Sequence, residues 1–275
     1  MTREESGTPD YTMGFSPAML EYLQRHTLET NAAYLIPYLK PGMRVLDFGC
    51  GPGTISVGIA RAVAPGELHG VDMEESQVER ARAVVRADRR DNAVFHVADA
   101  TDMPFEDDYF DIAHSYNVLM HVPDTAALLA EVKRVLKPGG IIGCREMICD
   151  SCFTHPDFGY LQRGWEVFRD LVAADDGHPQ IGKSLKTHLL AAGFADVQAS
   201  TSFNSYSSQR DLDYFYAMVK NWFLSPDVKE AAIKYGAATQ GLYYNIREAH
   251  EQWRAHPGAL VGIAYGEAVG YKPFA

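Results

Sequence analysis

One stretch, Val45-Leu46-Asp47-Phe48-Gly49-Cys50-Gly51-Pro52-Gly53-Thr54, constrains this chain more than any other. An apolar run ends in three alternate glycines, and the periodic segment Thr54 to Val63 follows. That pattern predicts a strand, a tight turn and a helix. Glycines let backbone take positive φ and approach a ligand closely. Open α/β sheets bind ligands at the carboxyl ends of their strands. The turn is therefore a nucleotide-like site on fold physics alone.

The same unit recurs downstream. Leu68 to Val71, Val94 to Val97, Tyr109 to Tyr116 and Ile141 to Met147 read as strands, with helices at Glu74 to Arg86 and Asp124 to Leu136. Lys137-Pro138-Gly139-Gly140 reads as a turn. Strands alternating with helices predict an α/β fold with a doubly wound, mostly parallel sheet and right-handed crossovers. A strand near Val197 and a last one over residues 260–268 bring the expected total to seven. Residues 16–39, 158–174, 181–192, 210–223 and 227–253 read as helical. From Phe203 to Trp253, eleven of 51 residues are aromatic, twice the chain's 11%. That segment is a candidate cap over an apolar ligand. The expected division is a helical lid segment over 1–40, an α/β core over 41–203 and 258–275, and an acceptor cap over 204–257.

Composition bounds the partners. The chain has 275 residues, enough for a full core without staples. It carries 25 basic and 36 acidic residues, a net charge of −11. Neither nucleic acid nor an anionic membrane is then expected as the main partner. The first ten residues lack a basic n-region and an apolar h-region, so no secretory signal is expected. Cys50, Cys144, Cys149 and Cys152 are too few and too clustered for a disulfide framework. The expectation is a reduced, cytoplasmic protein, monomeric or homodimeric, with no metal.

The turn discriminates between nucleotides. The dinucleotide fingerprint G-x-G-x-x-G/A fails at its third position, which is Thr54. Asp47, two residues before the first glycine, would repel a pyrophosphate but suits a cationic ligand. No Walker G-K-[ST] is present. The run Asp47-Phe48-Gly49-Cys50-Gly51-Pro52-Gly53 resembles the acid-x-Gly-x-Gly-x-Gly motif of the class I S-adenosylmethionine-dependent methyltransferases. Met103-Pro104-Phe105 to Phe110-Asp111, His121-Val122-Pro123-Asp124 and Lys137-Pro138-Gly139-Gly140 are similar to further motifs of that family. The Leu39-Lys40-Pro41-Gly42 entry and the C-terminal Gly266-Glu267-Ala268-Val269-Gly270-Tyr271-Lys272-Pro273 resemble its secondary-metabolite members, with the ubiquinone and menaquinone methyltransferases nearby.

The resemblance implies S-adenosylmethionine as cofactor, a cation without phosphate, and S-adenosylhomocysteine as product. It implies a cofactor role for Asp47, Gly49, Cys50 and Gly51. Asp72 would accept both ribose hydroxyls, and Met73 would pack on the adenine. Asp99 would take the adenine amine, with the Ala100 amide on the ring. Ser115, Tyr116 and Asn117 would lie beside the methionine part. Tyr11 and Arg25 are candidates for its carboxylate. Each carboxylate also has a plain structural reading: Asp72 and Asp124 as helix caps, Asp99 as an Asx turn.

Methyl transfer displaces a neutral leaving group, so the protein must chiefly position the acceptor and exclude water. A base is needed only for a weakly acidic acceptor. His121 is the candidate base, or else a pocket histidine. Arg145, Tyr214 and Tyr244 are further candidates for the acceptor pocket, with Tyr206, Tyr216, Trp222 and Tyr243. Against that, Arg145 reads first as half of a structural ion pair with Glu146. Cys149-Asp150-Ser151-Cys152 lacks zinc spacing and reads as unpaired thiols. Ser115-Tyr116-Asn117-Val118 departs from the Asn/Asp-Pro-Pro-Tyr/Phe of nucleic-acid amino-methylating relatives. The expected reaction is methylation of a small, fairly apolar, natural-product-like acceptor at O, N, S or C. The alternative is a cofactor-binding relative that cyclises or rearranges its substrate without methyl transfer.

Overall fold

The computed structural model describes residues 17–274. Tyr11 lies outside the described residues. The chain enters through two short helices, α1 (Pro17–Leu23) and α2 (Leu28–Asn31), and a 3-10 turn over Ala33–Tyr38. The single helix expected over 16–39 is therefore broken. Thr27 starts a new helix: its hydroxyl accepts from Thr30 N, and its own N–H donates in return to Thr30 Oγ1. Pro37 sits inside the final turn.

The alternation then follows as expected. It runs β1 (Arg44–Phe48), α3 (Thr54–Val63), β2 (Glu67–Asp72), α4 (Glu75–Ala87), β3 (Ala93–Val97), β4 (Phe110–Tyr116), α5 (Thr125–Val135) and β5 (Leu136–Met147). β5 takes in Lys137 to Gly140, expected as a turn, because Lys272 pairs with Gly140 there. After β5 come β6 (Phe153–His155), α6 (Leu161–Ala174), α7 (Ile181–Ala191) and β7 (Ala195–Tyr206). The chain ends with α8 (Gln209–Met218), a π-helical turn over Val219–Phe223, α9 (Pro226–Lys234), α10 (Gln240–Arg254) and β8 (Leu260–Tyr271).

The sheet has eight strands, one more than expected, in the order β3-β2-β1-β4-β5-β8 with β7 on the far side of β8. β1 to β5 pair in parallel and β8 runs against β5 and β7. The additional strand is β6. It continues the line of β5 along β8, facing Leu260 to Gly262 where β5 faces Tyr265 to Tyr271. Three residues are too short a run to carry a period.

Successive strand residues feed opposite faces. Val45 joins Ile59, Val63, Val78 and Leu35 on one face, while Leu46 joins Leu128, Val132 and Leu185 on the other. Strand order reverses at β1, which lies between β2 and β4. Asp47 is in register with Gly70 and His114, so the loops after β1, β2 and β4 open side by side. A ligand crevice belongs at this switch point.

Candidate cofactor and acceptor site

A cavity of about 460 Å³ opens there and runs to the helices after β7. Gly49 and Gly51 form part of its wall. Gly49 has φ +66°, and a Cβ there would meet Val118 Cγ2 at 2.3 Å. Only glycine lets the β4 loop lie against the turn. A Cβ on Gly51 would stand in open space. Gly53 lies outside the cavity, where a Cβ would meet Ala81 Cβ at 2.7 Å. The first glycine serves the loop, the second the cavity, and the third the packing of α3 on α4.

Asp72 ends β2 in the cavity wall. Its Oδ2 accepts from Gly51 N at 2.8 Å and its Oδ1 from Glu74 N at 3.0 Å. The carboxylate thus braces the glycine turn and starts α4. Each oxygen keeps acceptor capacity. Burial pushes its pKa up. One turn on, the buried Gln77 also lines the cavity, and its Oε1 has no partner among the described residues. Sequence reading missed Gln77, because a glutamine in an amphipathic helix carries no signal. Met73 and Asp99 lie exposed at the cavity mouth, with Ala100 beside them. Asp99 Oδ1 accepts from Thr101 N and Thr101 Oγ1, both at 2.8 Å, which is the Asx turn.

Tyr116 and Asn117 close β4 and line the cavity. The Tyr116 hydroxyl accepts from Asn31 Nδ2 at 3.0 Å and donates to Tyr265 at 2.8 Å. Asn117 sits at φ +53° and its Oδ1 accepts from Met147 N at 3.1 Å. The next three amides converge on one carboxylate. Val118 N and Leu119 N donate to Glu146 Oε1, each at 3.0 Å, and Met120 N to Oε2 at 3.2 Å. Glu146 is fully buried, and burial outweighs these three bonds to hold its pKa at about 7. It anchors the turn that carries His121 into the cavity wall. Burial lowers His121 to about 4, so its imidazole is neutral at ordinary pH.

Beyond His121 the walls turn aromatic and apolar. Trp165 and Phe168 come from α6, Phe215 from α8, and Trp222 and Phe223 from the π-helical turn. α10 contributes His250. Trp222 is the one aromatic candidate from the cap that reaches the cavity. The α6 residues were missed because that helix precedes the aromatic-rich segment.

Several expected site residues lie elsewhere. Asp47 is buried beneath the glycine turn, where it accepts from Ser56 Oγ at 2.5 Å and His114 Nδ1 at 2.8 Å. It ties β1 to α3 and β4 rather than facing a ligand. The Cys50 side chain packs into the core below the turn, and Ser115 is fully buried and does not line the cavity. Arg145 is buried, with Nε 3.0 Å from Glu267 Oε1 and Nη2 on Ser202 and Asn204. It is held by β7 and β8, not by Glu146, and is not in the cavity wall. Tyr214 packs on Tyr22 and under Arg25, outside the cavity. Tyr244 is 56% exposed on the outer side of α10. Cys149 and Cys152 are free and buried, and burial raises both thiols. Among the described residues no cluster suits a metal ion. No helix of the described residues is long and apolar enough to cross a membrane.

The cavity suits S-adenosylmethionine at its glycine end. Asp72 and Gln77 offer acceptors to a diol and an amine, and among the described residues no phosphate-binding cation lines that end. The model for a methyltransferase domain matches residues 39–176. An uncharacterised methyltransferase of Schizosaccharomyces pombe is 36% identical over 95% of this chain and 96% of its own length. The 27-O-demethylrifamycin SV methyltransferase of Amycolatopsis mediterranei is 38% identical over 41% of each chain. A phosphoethanolamine N-methyltransferase of Haemonchus contortus, solved with S-adenosylhomocysteine, superposes with TM-score 0.58 at 19% identity. That match covers 90% of this chain and 53% of that one. Sheet order, the glycine turn and these likenesses agree: the chain belongs to the class I S-adenosylmethionine-dependent methyltransferases.

Proposed function

We propose that the protein methylates a small, largely apolar acceptor, with His121 as the base. One observation carries the reading: Gly51, Asp72, His121 and the aromatic chamber line one continuous cavity. Bound S-adenosylmethionine supplies an electrophilic methyl with a neutral thioether leaving group. Asp72 and Gln77 bind the ribose and adenine end, and Asn117 and Tyr116 flank the methionine end. Asp99 and Ala100 hold the adenine at the mouth. The chamber excludes water and presents the acceptor in line. His121 Nδ1 or Nε2 takes the acceptor's proton. A group lowered to about 4 is unprotonated at neutral pH but is a weak base. It is matched to an acidic hydroxyl, phenolic or enolic, rather than to an alcohol. The rifamycin relative, named for O-methylation, supports an oxygen acceptor of natural-product type.

The test is transfer of labelled methyl from S-adenosylmethionine to a panel of phenols and enols. Transfer that falls a hundredfold in His121→Ala, with S-adenosylhomocysteine affinity kept, supports the reading. Equal turnover in the variant removes His121 as base. Cofactor binding with no transfer to any acceptor, but with substrate isomerised, would favour cyclisation or rearrangement instead.

A further inference from the structure

The chain has three tryptophans, all buried or half-buried. Trp165 Nε1 donates to Thr154 Oγ1 at 3.1 Å, and Trp253 Nε1 to the His155 carbonyl at 3.0 Å. Trp222 Nε1 has no acceptor among the described residues, although the residue is 7% exposed and lines the chamber. A buried donor without a partner costs free energy, and native structures rarely keep one without a reason. Phe168 meets the Trp222 ring edge-on at 5.8 Å, so packing holds the indole in place.

His250 supplies the complementary group. It lies on α10, buried, in the same wall. Its Nδ1 is 2.9 Å from the Ile246 carbonyl, which only accepts. The proton is therefore on Nδ1, and Nε2 is left as an acceptor. Burial lowers His250 to about 4, so this tautomer persists at neutral pH. The hydroxyls of Tyr214 and Tyr243 also lack partners among the described residues, but neither residue lines the cavity. Among the described residues, the aromatic and apolar wall of the chamber thus holds a fixed donor at Trp222 and a fixed acceptor at His250, with the Thr154 hydroxyl beside Trp165.

We infer that the acceptor is a planar ring compound with two oxygen groups besides the methylated atom, a carbonyl-type oxygen received by Trp222 and a hydroxyl received by His250. The inference rests on the methyltransferase reading. A site built to bond a hydroxyl discriminates strongly against the analogue without one, because the buried acceptor is then left unpaired.

7-Hydroxycoumarin carries both groups at opposite ends of a flat ring, and coumarin lacks the hydroxyl. Each is titrated calorimetrically into protein saturated with S-adenosylhomocysteine. The wild type is expected to bind 7-hydroxycoumarin at least tenfold tighter than coumarin. In His250→Phe that ratio falls to about one. In Trp222→Phe the ratio persists while both affinities drop threefold or more. Equal binding of the two compounds by the wild type, or binding of neither, overturns the inference without reference to any variant. So does a ratio that survives in His250→Phe. S-Adenosylhomocysteine affinity, measured first, separates the two levels: its absence in the wild type overturns the methyltransferase reading itself.

Discussion

Glu146 shows how a residue outside the family motifs can control the site. Its carboxylate takes three consecutive amides, so the Val118–Met120 turn has one anchor rather than three. Glu146→Leu leaves those amides buried and unpaired, at a cost of about 3 kcal/mol or more. Thermal unfolding of the variant checks this. Glu146→Gln keeps one acceptor oxygen and has a distinct pH signature. With a folded pKa of about 7 and an ordinary value of 4.5, folded wild type holds a proton that the unfolded chain has released. Stability from this group is full below pH 4.5 and is lost as pH rises to 7. The Tm of Glu146→Gln, relative to wild type, should therefore rise from pH 5 to 7.5. A flat difference contradicts the assignment. His121 acts in the opposite sense, adding stability between pH 4 and 6.5, and is unchanged in that comparison. Motif spacing identified Asp72 and Tyr116 as cavity residues because strand ends at a switch point face one crevice. It misdirected Asp47, whose oxygens are taken by Ser56 and His114, partners distant in sequence and found only by folding. Sequence spacing cannot tell which side of a strand end a short side chain serves.

At the scale of elements, the parallel half was legible because each strand and helix carries its own period and its own stop. The glycine turn is the test case. Gly53→Val would press a side chain against Ala81 Cβ and Cα, at 2.7 and 2.8 Å, with φ at +76°. Strain and overpacking together predict a loss of about 3 kcal/mol. Gly51→Ala meets nothing and costs only the positive φ, but it intrudes on the cavity. Its signature is weakened S-adenosylhomocysteine binding with a small change in Tm. Equal stability losses in the two variants would refute the division of roles. The helices after β7 were less legible. The run 227–253 reads as one helix but divides at Gly236, where φ is +73°, and Thr239 caps α10 anew. Likewise Trp165 and Phe168 complete the chamber from a helix that its sequence assigns to the core. Tertiary packing, not local pattern, decides which helix faces the cavity.

Across the whole molecule, the loops after the parallel strands form the glycine end of the cavity, and the helices around β7 and β8 form its aromatic end. This division explains why motifs speak clearly about one and faintly about the other. The cofactor end needs glycines and carboxylates at fixed strand ends, which spacing reveals. In the proposed reading, the acceptor end needs a shape, made of aromatics from α6, α8 and the π-helical turn. The cofactor claim underlies every other, and calorimetric titration with S-adenosylhomocysteine, NADH serving as control, tests it most directly. The account predicts micromolar binding of S-adenosylhomocysteine, none of NADH, and at least a thirtyfold loss in Asp72→Ala. NADH binding, or unchanged affinity in that variant, would contradict it.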